Sequence, residues 1–137
     1  IRKHLIQARK LVKRSRSSKH ERELAELLHA ADVNFVWNQA GPKINVGPYH
    51  PDIVNIEHKI VVEFLGDYSH SHPDMYPDDS WNALNHKTAR EVREFDAKRN
   101  AFIESQGWKV VIVWESEWKA SRTNTIQRIL SFTCSII

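Results

Sequence analysis

Residues 51–70, PDIVNIEHKIVVEFLGDYSH, decide the fold of this chain. The two apolar runs in this stretch, DIVNI and IVVEFL, are typical of β-strands, and the polar letters EHK between them are typical of a turn. A hairpin centred between Glu57 and His58 would place Asp52 directly opposite Glu63, on the same face of the sheet. The Cβ atoms of such an opposed pair are about 5 Å apart. The stretch therefore predicts an antiparallel strand pair that carries two facing acids.

The facing acids point to a metal site. Like charges placed opposite each other destabilise a sheet, and the pKa of one of the two carboxyl groups is raised. A divalent cation between Asp52 and Glu63 would remove that conflict. The alternative is that one acid points to solvent while the other caps a strand, because a one-residue slip in register places the two side chains on opposite faces. A Mg²⁺ site is thus one of two hypotheses for this pair.

Composition indicates a single globular domain. The 137 residues are 41% hydrophobic and 27% charged, which fits a soluble protein rather than a disordered or membrane one. No apolar run has the length of a membrane span, and the N-terminus lacks the apolar segment of a signal peptide. The one cysteine, Cys134, excludes an internal disulfide and a Cys-rich zinc module, so we expect a reducing compartment. The start at Ile1 instead of Met suggests a fragment of a longer protein.

Charge is distributed unevenly along the chain. Residues 1–20 contain eight Lys/Arg and no acid, whereas the other 117 residues contain 12 Lys/Arg and 17 Asp/Glu, a net charge of −5. If the facing acids form a metal site that cuts phosphate esters, such a basic arm favours nucleic acid as the partner. A solvated helix face or a basic linker helix is the alternative. The arm residues that we predict to contact DNA are Arg2, Lys3, Arg9, Lys10, Lys13, Arg14, Arg16 and Lys19.

Hydrophobic periodicity predicts an α/β sandwich, in which helices flank a central mixed β-sheet. We expect a basic N-terminal segment over residues 1–17 and one domain over 18–137. The hairpin should be antiparallel, and the last strand should run parallel to its second strand. A long polar loop should follow the hairpin, over residues 67–82. The predicted helices cover 2–14, a segment that begins at Ser18 and buries Leu24, Leu27, Leu28 and Ala31, then 85–106 and 124–132; the remaining strands cover 34–38 and 108–114.

Three charged residues lie on predicted apolar helix faces. Glu21 follows Ser18 by three residues, so a capping box explains it and a role in a site is the second interpretation. Asp96 and Arg99 lie within a stripe formed by Val92, Phe95, Phe102 and Ile103. A charge on such a face is rarely buried unless it is paired. The i, i+3 spacing favours an ion pair between Asp96 and Arg99, with a site role for Asp96 as the alternative.

The segment after the hairpin carries further candidates. Asp67, His70 and His72 follow the second strand within a few residues. A neutral imidazole beside a metal-bound phosphate could accept a proton from the attacking water near neutral pH. An ordinary surface loop is one alternative, and a Zn²⁺ site formed by the two histidines with Asp74 is another.

Taken in order, these pieces resemble the PD-(D/E)XK nucleases, and more closely the very-short-patch repair endonuclease branch with the related phage homing endonucleases. Residues 62–70, VEFLGDYSH, resemble the family's strand-plus-loop E-F-x-G-D-Y-W-H, with Ser69 at the usual Trp position. Five ordered pieces carry the resemblance. They are Ser18/Glu21/Leu24, Pro51-Asp52, residues 62–70, Asp96/Arg99 and Gly107–Glu115.

The resemblance implies a restriction-endonuclease-like fold and a DNA endonuclease that depends on Mg²⁺, with Mn²⁺ as a substitute. It implies that Asp52 is the main metal ligand, with Glu63 as the second acid, and that His70 is the general base or acid. Glu21 and Asp96 would support the site. Leu65 occupies the position of the superfamily's Lys, which moves that role toward His70.

The resemblance also concerns partners and location. It implies double-stranded DNA as the substrate, a further DNA-binding domain N-terminal to this segment, and the cytoplasm of a bacterial or phage-infected cell; a homodimer is open. Two other functions remain open at this point. One is a mismatch-dependent nicking repair enzyme. The other is a nuclease-fold DNA-binding module without activity, which Leu65 favours.

Overall fold

The structure, a computed structural model that describes residues 19–39 and 43–134, is built around a four-stranded mixed sheet. Its strands lie side by side in the order Phe35–Trp37, Ile53–Asn55, Ile60–Leu65 and Lys109–Trp114; the first and third are antiparallel to the second, and the fourth is parallel to the third. The predicted fold class, a mixed sheet flanked by helices, is confirmed. In chain order the elements are α1 (19–31), β1 (Phe35–Trp37), β2 (Ile53–Asn55), β3 (Ile60–Leu65), β4 (Trp81–Asn82), β5 (Lys87–Thr88), α2 (Ala89–Ser105), β6 (Lys109–Trp114), α3 (Glu115–Ala120) and α4 (Arg122–Leu130).

The hairpin has the predicted register. Ile53 pairs with Val62 across the β2–β3 ladder. The same register, continued by one position, sets Asp52 opposite Glu63, so this prediction is confirmed. The backbone N–H of Phe64 donates to Asp52 Oδ2 at 2.8 Å. This bond fixes the carboxylate directly before the first residue of β2.

Two apolar cores cover the two faces of the sheet. One core lies between the sheet and the helices α1, α3 and α4, and it includes Leu24, Phe35, Trp118 and Ile129. The other lies under α2, where Ile103 packs with residues of β2 and β3. All six residues of β3 are buried, as expected for a central strand that is covered on both faces. None of the helices in the described residues is long and apolar enough to cross a membrane.

The helix α1 buries a narrower stripe than its sequence suggests. Leu24 and Leu28 are buried as predicted, and Ala25 is buried with them. Leu27 is 43% exposed and Ala31 is also exposed, so these two assignments are wrong. The contact stripe follows positions i, i+1 and i+4, because the helix lies on the sheet with a face centred between Leu24 and Ala25.

The long helix begins four residues later than predicted. Residues before it form a small ribbon, in which Trp81 pairs with Thr88 and Asn82 with Lys87. Thr88 is the N-cap: its hydroxyl accepts from the N–H of Glu91, and the Glu91 carboxylate accepts from the N–H of Thr88, which completes a capping box. The helix ends before Gly107, as predicted, where φ is +92°.

The predicted last helix, 124–132, corresponds to α4, and a further short helix, α3, precedes it. Helix α3 was not predicted, because its only buried residue is Trp118 and a single apolar residue has no periodicity. Ser121 separates α3 from α4, and its hydroxyl accepts from the N–H of Asn124 as an N-cap. The predicted helix over 2–14, the cap at Ser18, the domain boundary at 17/18 and all basic-arm residues except Lys19 lie outside the described residues.

Candidate active site

A cavity of about 350 Å³ lies at one edge of the sheet, where β3 ends and α2 crosses it. The hairpin, helices α1 and α2 and the loop after β3 all contribute to its wall. All five predicted site residues line this cavity, although they come from four distant parts of the chain: Glu21, Asp52, Glu63, His70 and Asp96.

The centre of the site is formed by the buried Glu63, the half-buried Asp52 and an arginine that bonds to Glu63. Glu63 is 4% exposed, and Arg99 Nη2 donates to its Oε1 at 2.8 Å. Burial, together with the adjacent charge of Asp52, raises the pKa of Glu63 to about 8, despite the bond to Arg99. Burial also raises the pKa of Asp52, against the opposing effects of the Phe64 N–H and of Arg99. Ionisation of both carboxyl groups is therefore disfavoured, as their predicted register implies.

Glu21 brings a third carboxyl group to the cavity from helix α1. The indole Nε1 of Trp37 donates to Glu21 Oε2 at 2.7 Å. Burial and the charge of Asp52 raise the pKa of Glu21 to about 7, even though the Trp37 bond lowers it. Glu21 therefore makes a contact other than the predicted capping box. Its predicted capping partner, Ser18, lies outside the described residues.

His70 and Asp96 form a pair on the side of the cavity next to α2. His70 Nδ1 lies 2.8 Å from Asp96 Oδ2. The predicted ion pair between Asp96 and Arg99 is wrong, because Arg99 bonds to Glu63 instead. The helix crosses the end of β3, so side chains one turn apart reach different neighbours: the loop for Asp96 and the strand for Arg99.

A buried asparagine shapes the loop that presents His70. Asn82, 2% exposed, donates from Nδ2 to the carbonyls of Tyr68 and Ser69 and to the hydroxyl of Ser71, at 3.0–3.2 Å. Arg93 of α2 donates to the carbonyl of Ser71 at 2.7 Å. The loop predicted over residues 67–82 is thus held by side-chain bonds. No local signal in the sequence assigns this role to Asn82, because its partners lie more than ten positions away.

A second asparagine shapes the approach to Asp52. Asn38, 1% exposed, donates to the carbonyls of Ile44 and Pro51 at 2.7 and 2.8 Å and accepts from the N–H of Ile44. The His50 ring, which also lines the cavity, lies with Nε2 3.2 Å from the carbonyl oxygen of Asn38. Sequence analysis missed these residues, together with Trp37.

The other candidates in the loop after β3 have structural roles. Asp67 accepts from the hydroxyl and N–H of Ser116 at the start of α3. The His72 ring packs against Trp114, with centroids 4.5 Å apart. In the described part of the chain, no group of three or more His, Cys, Asp or Glu side chains is arranged so that it could hold a metal ion by itself, so the zinc alternative with Asp74 is not formed there.

The fold and site define an α/β domain with a polar cavity of acids, one arginine and two histidines at the sheet edge. Comparisons of this chain with protein-family models, with curated proteins and with solved structures found no match.

Proposed function

We propose that this domain is a metal-dependent DNA endonuclease that hydrolyses phosphodiester bonds in the cavity at the end of β3. One observation carries the proposal. Four carboxyl groups share the cavity with one guanidinium, and burial raises the pKa values of three of them, Glu21, Asp52 and Glu63, with the charge of Asp52 adding to the rise at both glutamates. A cluster with this excess of negative charge favours an additional cation.

The donor set fits Mg²⁺ better than a metal that is held by protein ligands alone. Mg²⁺ prefers oxygen ligands and is usually bound by one or two carboxylates, with water and substrate phosphates completing its coordination. Asp52 and Glu63 would hold the ion, and Glu21 would support it. Bound there, the ion supplies polarisation of the scissile phosphate and stabilisation of the charge that develops on it. Mn²⁺, which takes the same ligands, should substitute.

The chain itself supplies the proton acceptor. In a neutral imidazole whose Nδ1–H donates to Asp96, the lone pair is on Nε2. His70 Nε2 is then available to accept a proton from water, while Asp96 holds the ring in position and stabilises the imidazolium that forms. Groups in this role contribute about 10²–10⁴ to a rate. The buried Leu65, at the position of the superfamily's Lys, is consistent with this assignment to His70.

Duplex DNA is the substrate that the charge distribution favours. The basic arm carries eight positive charges and no acid, whereas the site itself is acidic. Contacts from such an arm to phosphates would hold the duplex without reading its sequence. Base specificity would then come from a further DNA-binding domain N-terminal to this segment. An enzyme of this kind would act in the cytoplasm of a bacterial or phage-infected cell.

Plasmid nicking tests the proposal. The protein should convert supercoiled DNA to nicked or linear forms in Mg²⁺ or Mn²⁺ and should be inactive in EDTA. Replacements Asp52→Asn and His70→Asn should each lower the rate by about 10²-fold or more. Two exposed residues provide matched controls, Asp79→Asn and His86→Asn, which should cut at the parental rate. Parental rates for both site variants would disprove the assignment.

A DNA-binding module without activity is the second candidate, and Leu65 favours it. DNA binding without cleavage in either metal would select that function. A mismatch-dependent nicking enzyme differs from both: it should cut a mismatched duplex faster than a matched duplex of the same sequence.

A further inference from the structure

A second, smaller cavity adjoins the acidic one. It has a volume of about 200 Å³ and lies between the start of α2 and the segment that precedes this helix. The two cavities share three wall residues, namely His70, Phe95 and Asp96. A group in the second cavity is therefore separated from the acidic cluster only by the His70–Asp96 pair and the Phe95 ring.

The wall of the second cavity contains a lysine. Lys87 lines it and forms no salt bridge with any acid among the described residues. Asp96, the acid in the same wall, is bonded to His70. The cavity thus presents one ammonium group whose charge is not neutralised by an ion pair within the described chain.

Phe95 contacts this ammonium group. Lys87 Nζ lies 4.6 Å from the centroid of the Phe95 ring, which is a cation–π distance. Phe95 is 56% exposed, although it lies in the wall of both cavities. An exposed aromatic ring beside a polar site orders the lysine stem and leaves the ammonium group free to bind an anion.

We propose that Lys87 binds the DNA phosphate adjacent to the scissile one, an inference that rests on the proposed function. A nucleic acid strand carries a phosphate at every nucleotide, so a strand whose scissile phosphate lies in the acidic cavity must continue past its rim. The second cavity is the neighbouring site with a cation, and a lysine is a common phosphate ligand. Lys87 is a binding residue in this scheme and takes no part in proton transfer.

Neutral phosphate analogues test this contact. The substrates are duplex oligonucleotides in which single linkages on either side of the mapped cut are replaced by methylphosphonate. On the unmodified duplex, Lys87→Met should raise KM about tenfold with little change in kcat. The same replacement should have no effect when the adjacent linkage is already neutral. Lys87→Arg, which keeps the charge, should behave like the parent, and Lys98→Met, an exposed lysine of α2, is the matched control.

Binding in EDTA separates this inference from the proposed function. Lys87→Met should reduce the slope of log binding constant against log salt by about 0.9, even if the protein does not cut. A parent that cuts DNA, with Lys87→Met equal to Lys98→Met on every substrate, would overturn the inference and leave the endonuclease in place. If Lys87→Met weakened binding equally on every methylphosphonate duplex and also lowered the melting temperature of the protein, Lys87 would have a structural role. That result would also overturn the inference. A parent that neither binds nor cuts DNA would overturn both.

Discussion

The contact between His70 and Asp96 predicts how the effects of replacing these two residues on the cleavage rate combine. Asp96 touches no substrate in the proposed scheme and acts only through the ring that it orients. Asp96→Asn should therefore lower the cleavage rate by about 10²–10⁴. In the double variant with His70→Asn, the second replacement should cost almost nothing more, because the two side chains act as a unit. Single-turnover cleavage rates of the four proteins measure this coupling.

Asp79→Asn, an exposed acid outside the cavity, is the matched control for that cycle. Rate losses that simply multiply in the double variant would contradict the pairing.

The raised pKa values of Glu21 and Glu63 predict how stability depends on pH. Glu21 and Glu63 have ordinary pKa values of 4.5, and burial with the charge of Asp52 raises them to about 7 and about 8 in the folded protein. Folding therefore favours their protonated forms. The resulting stability is fully present below pH 4.5 and is lost as the pH rises through 7 to 8. We expect the free energy of unfolding of the metal-free protein to fall across this window, on the order of a few kcal/mol.

Denaturant titrations at several pH values, with EDTA or with Mg²⁺, measure that fall. Mg²⁺ should reduce it, because a bound cation stabilises the ionised acids. Glu21→Gln should remove the contribution of Glu21 and flatten the curve, whereas the exposed Glu57→Gln should leave it unchanged. A metal-free protein that becomes more stable between pH 6 and 8 would contradict the environment assigned to the acids.

At the scale of elements, the loop after β3 depends on Asn82. Its side chain, which is itself buried, makes three donor bonds to the loop and accepts from the N–H groups of Leu84 and Asn85. Removing it abolishes these hydrogen bonds, and each such bond contributes about 0.5–1.5 kcal/mol to stability. Asn82→Ala should destabilise the protein by about 3 kcal/mol and increase amide exchange over residues 68–71.

The exposed Asn34 is the matched control for that experiment, since Asn34→Ala removes an amide side chain that lies at the surface. Equal stability of the two variants would show that the loop is held by other contacts. If Asn82→Ala also slows cleavage, the loss should match that of His70→Asn in direction, because both disturb the same imidazole.

At the scale of the whole molecule, the separation of charge sets the expected behaviour toward DNA. The basic arm precedes a body of net charge −5, so the body by itself should repel a polyanion. Replacing four arm residues with Gln should reduce the salt dependence of DNA binding, with a change in slope of about 0.9 for each lost phosphate contact. Fluorescence anisotropy at several salt concentrations measures this slope. The four replaced residues are Lys3, Lys10, Lys13 and Arg14.

Four exposed lysines of the body supply the control, with the same loss of charge at positions outside the arm. Their replacement by Gln should change the slope less than replacement in the arm does. Equal slopes for the two variants would remove the arm from the DNA interface. The control residues are Lys43, Lys98, Lys109 and Lys119.

The sequence alone determined the sheet and the acids that it carries. Alternation with a period of two residues and a short turn left two registers open, and the structure has the one that sets Asp52 opposite Glu63. The end of α2 before Gly107 and the strand over Lys109–Trp114 were also predicted from local sequence. A glycine with positive φ and a continuous apolar run need no distant partner.

Only the tertiary structure decided which side chains meet. Local spacing paired Asp96 with Arg99, but the crossing of α2 over β3 directs one to His70 and the other to Glu63. The roles of Trp37, Asn38 and Asn82 also depend on segments that are brought together by folding. Periodicity reports which face of an element is buried, whereas the partner of a polar group depends on what packs against that face, and a local pattern does not contain that information.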